Sequence, residues 1–265
     1  LIADNVPGST GQYSWTVPSV ATTRARIRIT GTGVPAVSSS SSFTITLTPD
    51  VVTGWNLVSL KLVPPDPRKS VLFPLAASPA FAYSSSYVVK DSLFPHTGYW
   101  LMFNGPQLAP YTGASIVNDS VTVKAGWNLI GSLSSAVPVS GIVQIPPRIV
   151  ISPYFGYSGS YSVATILSPG RGYWVKVSSD GKLFLQSGPA AAAAPASAGF
   201  GEQHGQWSSL TVSDAAGRNQ TLYIAPGVNG NESDAYAMPP LPPEGAFDAR
   251  FSSGRLVEFP EGPSR

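Results

Sequence analysis

The chain contains no cysteine, so disulfides, thiolate metal sites and a cysteine nucleophile are excluded. Charge is scarce as well: Asp, Glu, Lys and Arg make up 11% of the 265 residues, against ~25% in typical globular proteins. Net charge is +2 and the basic residues are scattered, which leaves no electrostatic footprint for nucleic acid or an anionic membrane. The two histidines, His96 and His204, are far apart, and neither has a second histidine at the spacing that ligands on one helix need, which argues against zinc. No apolar run approaches the ~20 residues of a membrane-spanning helix. Leu1 is followed by no basic-then-apolar leader, which suggests a processed or excised piece. No cofactor and no nucleic-acid partner is expected.

What is abundant is glycine and proline, 26 of each, together with serine and threonine. Such a composition suits short strands and tight turns. Disorder is opposed by 43% apolar and 11% aromatic residues, enough burial to offset chain entropy. No long stretch has helical periodicity, so the fold class expected is all-β, as tandem sandwich or barrel-like modules.

The main organising feature is an internal repeat. Gly54-Trp55-Asn56-Leu57-Val58-Ser59 recurs as Gly126-Trp127-Asn128-Leu129-Ile130-Gly131, and Gly98-Tyr99-Trp100-Leu101 as Gly172-Tyr173-Trp174-Val175. Between them Phe81-Ala82-Tyr83 matches Phe155-Gly156-Tyr157, Tyr87 matches Tyr161, Leu93 matches Leu167 and Pro95 matches Pro169, without a gap. Two copies of roughly seventy residues are therefore expected in a module at 49–188, as 51–123 and 124–188. Apolar residues fall on both parities of the Trp-containing segments, the mark of strands covered on both faces. Tyr83 and Tyr87, like Tyr157 and Tyr161, share a parity across a turn, so each pair predicts a hairpin that aims its rings at one surface.

Flanking regions differ from the repeat. Residues 1–48 carry alternating strands at 12–17, 24–30 and 43–48 with a serine loop at 38–42, which is only part of a sandwich. Residues 189–205 are an Ala/Pro linker by composition. Residues 206–265 read as a partial β-domain with strands at 207–213, 220–225, 246–251 and 256–259, interrupted by a proline-rich stretch at 238–243.

These motifs carry a resemblance. The G-W-N-L opening, the F-x-Y segment, the P-G-x-G-Y-W-V strand, then L-T-V-S-D-A-A-G-R-N-Q-T-L-Y-I and P-P-L-P-P-E-G-A-F-D-A-R-F resemble, in content and order, a β-module array of large surface and secreted proteins of type IX secretion bacteria. Tyr13-Ser14-Trp15-Thr16-Val17-Pro18 with Ala25-Arg26-Ile27-Arg28-Ile29 resembles the C-terminal half of the immunoglobulin-like domain that often precedes such repeats. The resemblance implies export to the cell surface or beyond it, and no recorded chemistry. Unfinished sheets at both ends would leave unpaired edges, so self-assembly, or pairing with other fragments of the parent protein, is the expected partnership.

A search for chemistry yields few candidates. The aspartates and glutamates stand almost all beside Gly, Pro, Ser or Asn, as turn caps do, and no G-x-S-x-G elbow is present, so no enzyme is expected. The oxygen-rich stretch 229–234 lacks the spacing of an EF-hand. Tyr83, Tyr87, Tyr157 and Tyr161 admit two readings, repeated core or flat platforms on which a glycan stacks; Trp55, Trp100, Trp127 and Trp174 read as repeat core. Asp91-Ser92-Leu93 and Asp119-Ser120-Val121 resemble the acceptor tripeptide for O-glycosylation in these bacteria, at Ser92 and Ser120. The expected function is structural, as stalk, adhesive scaffold or filament subunit. The alternative is a carbohydrate-binding module of a polysaccharide-degrading protein.

Overall fold

A computed structural model of the chain describes residues 22–31, 34–38, 42–45, 50–186, 207–226 and 235–259. The fold is all-β: antiparallel sheets pack together, and the one α-helix among the described residues is the single turn Lys69–Leu72. No described helix is long and apolar enough to cross a membrane. The chain divides into two compact units, Leu1–Pro49 and Asp50–Arg265.

In the first unit Thr22–Ala25 pairs with Phe43–Ile45, and Arg28–Gly31 with Val34–Ser38. The strand expected over 24–30 is thus broken at Arg26 and Ile27, and a further strand forms at Val34–Ser38, just ahead of and overlapping the serine loop expected at 38–42. A two-stranded ribbon tolerates Pro35 because one side of each strand is an edge. The expected strand at 12–17 lies outside the described residues.

In the second unit each copy folds into a four-stranded antiparallel sheet of the same order. The first runs Gly54–Val58, Tyr99–Phe103, Ala80–Tyr83, Tyr87–Lys90, and the second runs Gly126–Ile130, Tyr173–Val177, Tyr154–Tyr157, Tyr161–Ala164. Local chemistry explains why the Gly-Trp-Asn motif opens each sheet. Gly54 and Gly126 adopt φ of +87° and +94°, a region that side chains disfavour. Two residues on, Asn56 Oδ1 accepts the Val52 N–H at 3.0 Å while its Nδ2 donates to the carbonyls of Val52 and Gly54 at 2.8 and 2.9 Å. Asn128 repeats all three bonds with Lys124 and Gly126. Asn56 is buried and Asn128 only partly so. Asn56→Ala is therefore expected to cost ~1–3 kcal/mol by leaving buried backbone groups unpaired, and Asn128→Ala less, as measured by urea denaturation.

The copy boundary differs from the one expected. Asn118–Val123, assigned by sequence to the end of the first copy, pairs along its whole length with Gly181–Gln186 and so belongs to the second. The isolated bridge from Val51 to Gln107 is its counterpart in the first copy. Each copy begins with the segment that its own last strand closes upon.

Both faces of each four-stranded sheet meet a core, except along the exposed outer strand Tyr87–Lys90. One face meets a private core, built on Val58, Leu60, Leu101 and Phe103 in the first copy and on Ile130, Val175, Val177 and Leu183 in the second. The other face carries Trp55, Leu57 and Trp100, or Leu129, Phe155 and Trp174, into one core common to both copies. The copies meet through reciprocal backbone bonds. Gly172 N–H donates to the Leu57 carbonyl at 3.1 Å and Gly98 N–H to the Leu129 carbonyl at 3.1 Å, a pseudo-twofold exchange. Glycine is needed at both places, because a Cβ on Gly98 would lie 2.8 Å from the Ile130 oxygen and one on Gly172 3.0 Å from that of Val58.

The 206–265 segment is a correction to the expected domain plan. It is not a separate partial domain: Leu222, Ala225, Met238, Leu256 and Val257 are buried in the core that the repeats share. Ser208–Ser213 and Asn219–Ile224 form a hairpin, and Val257–Glu258 adds in parallel. The strand expected over 246–251 does not form. Its neighbourhood is instead a turn, with Ala246 N–H donating to the Pro243 carbonyl at 3.1 Å and Gly245 at φ +82°. The linker expected at 189–205 lies outside the described residues.

Candidate functional site: an aromatic seam over a proline-rich segment

The seam between the copies is built twice from one set of rings. Trp100 stands edge-on to Tyr157 at 4.7 Å, and Trp174 edge-on to Tyr83 at 4.8 Å, so each copy's tryptophan packs on the other copy's tyrosine. Within each copy Trp55 meets Trp100 at 6.2 Å and Trp127 meets Trp174 at 6.3 Å, both with planes at 88°. Tyr83–Tyr87 and Tyr157–Tyr161 pair at 5.6 and 5.2 Å across the two hairpin turns. Edge-to-face packing sets the positive ring edge against the negative ring face, a favourable arrangement at these separations.

Across this surface lies the stretch from Met238 to Asp248. Proline has no N–H to offer a ladder, yet its neighbours' carbonyls and its own still need donors. Side chains supply them. Tyr87 Oη donates to the Leu241 carbonyl at 2.7 Å, Tyr161 Oη to Pro240 at 3.2 Å and Tyr157 Oη to Phe247 at 3.0 Å. Trp55 Nε1 donates to the Glu244 carbonyl at 3.0 Å, and Arg250 Nη1 to that of Pro239 at 2.8 Å. Arg250 is held for this task by a two-pronged pair with Asp248, at 2.8 and 3.0 Å. Burial pushes the phenols of Tyr87 and Tyr161 well up and that of Tyr157 to about 12, so all three remain protonated donors at physiological pH.

The positions singled out by sequence can now be placed. Trp100 and Trp174 are completely buried, Trp55 nearly so and Trp127 partly. Tyr157 and Tyr161 retain only 4% and 2% of their surface, so neither presents a flat face on which a sugar stacks. Tyr83 and Tyr87 are half-buried and stand edge-on to Trp174. The rings of Tyr157 and Tyr161 turn inward because the opposite copy and the proline-rich stretch cover them, while those of Tyr83 and Tyr87 stay partly exposed. Ser92 and Ser120 are half-buried in bridged or paired backbone, and the residues after them, Leu93 and Val121, are in the core. His96 Nε2 lies 3.1 Å from Asp119 Oδ2, while His204 and residues 229–234 fall outside the described residues. Among the described residues no three His, Asp or Glu side chains converge as metal ligands.

No protein-family model, no curated protein and no solved structure matches the chain.

Sequence reasoning missed that the tyrosines and the P-P-L-P-P stretch belong to each other. A signal was present: the matched positions carry tyrosine, not phenylalanine, and buried hydroxyls ask for acceptors. Missed too was Ser78-Pro79, repeated as Ser152-Pro153. Ser78 Oγ accepts the Met102 N–H at 2.9 Å and Ser152 Oγ that of Lys176 at 2.8 Å, which ties the lead-in of each hairpin to the Tyr-Trp strand.

Proposed function

We propose that the chain is a non-catalytic structural module of a secreted or cell-surface bacterial protein, acting as stalk, adhesive scaffold or filament subunit. The observation that carries this reading is where the repeated aromatic residues go. They close one interior shared by both copies and clamp a distant part of the same chain, so the side chains with the most to offer a ligand serve the cohesion of the module instead. The motif order that resembles type IX-secreted arrays supplies the location.

Assembly by strand complementation is part of the proposal. The first unit offers only two-stranded ribbons among its described residues, which are marginal without further strands. In the second unit Ser208–Ser213 is an edge strand exposed at every position, with Leu210 and Val212 facing outward. Such an edge accepts another strand unless it is blocked. Antibodies to the chain are expected to label intact cells, and electron microscopy of the native material is expected to show fibres or a continuous layer. Labelling only after lysis sinks the surface reading. A monodisperse monomer at high concentration, with protected amides along 208–213, sinks the assembly part.

A further inference from the structure

The two copies agree closely around the seam, and one of the places where they diverge is a cavity wall. A cavity of about 230 Å³ opens beside the second copy's hairpin. Its walls include Gly156, Ser158, Ser162, Ser168 and Arg171, and no carboxylate is among the lining residues. At the matched positions the first copy has Ala82, Ser84, Val88, Phe94 and Thr97. Apolar bulk has thus given way to glycine and serine, and a threonine to an arginine. The glycine opens the floor, since a Cβ on Gly156 would stand 3.3 Å from the Tyr173 ring.

Arg171 is the notable wall. Its Nη1 is buried and has no hydrogen-bond partner. Burying a guanidinium N–H unpaired is costly, and such groups in folded proteins are nearly always matched to an acceptor. The base of the side chain is fixed from both copies: Arg171 N–H donates to the Ser168 carbonyl at 3.2 Å, and its own carbonyl accepts from Ser59 Oγ at 2.8 Å. Arg171 as a cationic wall, serines along the same cavity and no carboxylate among the lining residues make a donor set suited to an oxyanion.

We propose that this cavity binds a small ligand bearing a carboxylate or sulfate group, held by Arg171 with the serine hydroxyls beside it. The volume is below the ~300–1,000 Å³ of pockets for drug-sized ligands, which limits the occupant to something the size of a single sugar unit. This site does not depend on the scaffold reading; a stalk that carries acidic or sulfated glycan needs only one such point per module.

Titration of the full chain by calorimetry and NMR with sodium sulfate, glucuronate and glucose tests it. Saturable binding of sulfate or glucuronate, with shifts at Gly156, Ser162 and Arg171 and none from glucose, is expected. Stronger binding of glucuronate identifies a sugar acid, and stronger binding of sulfate a sulfated ligand. Arg171→Thr, which restores the first copy's residue, is expected to weaken the anion by about tenfold or more, since hydrogen bonds to charged groups are the strong ones. Ser162→Val keeps the charge but narrows the cavity, and is expected to weaken glucuronate more than sulfate. No saturation by either anion, glucose binding as well as glucuronate, or unchanged affinity in a folded Arg171→Thr variant overturns the proposal. If Arg171→Thr fails to fold, unchanged glucuronate affinity in Ser162→Val overturns it.

Discussion

Replacing Trp100 by alanine is expected to cost ~3–5 kcal/mol, a large share of the ~5–15 kcal/mol that holds most domains together. The side chain is completely buried and packs on Trp55 of its own copy and on Tyr157 of the other. Its loss leaves a cavity with walls from both copies, and neither sheet can close the gap without giving up backbone pairing at Gly98 and Gly172. Trp174→Ala is expected to cost nearly the same, because it makes the mirrored contacts with Trp127 and Tyr83. The double variant is expected to lose less than the sum, since both rings belong to one cluster and the second cavity opens in a seam already loosened. Chemical denaturation followed by circular dichroism measures all three. Two separate transitions, one for each copy, with only the mutated copy affected, would show that the copies do not share a core.

How far this seam was legible in the sequence depends on the residue. The duplicated Gly-Trp-Asn motif could be read because its positions answer a local backbone need, positive φ at Gly54 and Gly126 and an amide clamp at Asn56 and Asn128, whereas Gly98 and Gly172 were visible only as repeated and serve the close approach of the copies. The hairpins at Tyr83–Tyr87 and Tyr157–Tyr161 could be read for a similar reason, from equal parity across a turn. What lay out of reach was the choice of partner. Alternation says that two faces are buried but not that one belongs to a private core and the other to a neighbour. The bond from Trp55 to Glu244 spans 189 residues, and no local pattern encodes it. The Ala246–Phe251 stretch shows the converse. Its apolar alternation suggests a strand, but proline at 242 and 243 and the turn at Gly245 turn its backbone toward the seam, where Tyr157 takes the Phe247 carbonyl. The cavity at Arg171 was invisible for a third reason: its meaning lies in the difference between copies, and a repeat search rewards agreement.

Raising the pH is expected to unfold the second unit cooperatively between about pH 10 and 12, and the tyrosines are the cause. Burial pushes the phenol of Tyr157 to about 12, against the pull of Arg218, and that of Tyr111 to about 12, against the hydrogen bond it accepts from the Lys61 N–H. Tyr87, Tyr154 and Tyr161 shift in the same direction, again by burial first. An unfolded tyrosine titrates near pH ~10. Below that value both states hold the proton and the contribution to stability is complete. Above it the unfolded chain releases a proton that the folded chain retains, so each such tyrosine removes ~1.4 kcal/mol of stability per pH unit until the folded value is passed. Over two units that is on the order of 2–3 kcal/mol for each, and Tyr111 and Tyr157 together reach the lower end of the ~5–15 kcal/mol that holds an ordinary domain. The seam tyrosines add to it, and their ionisation also removes the donors that hold the carbonyls of Pro240, Leu241 and Phe247. Tyrosinate absorbance from the buried rings is therefore expected to rise in a steep step that coincides with the loss of the β-sheet circular dichroism signal. If every tyrosine titrates gradually around pH ~10 while the sheet signal persists, the rings are open to water and the clamp on the proline-rich stretch does not exist.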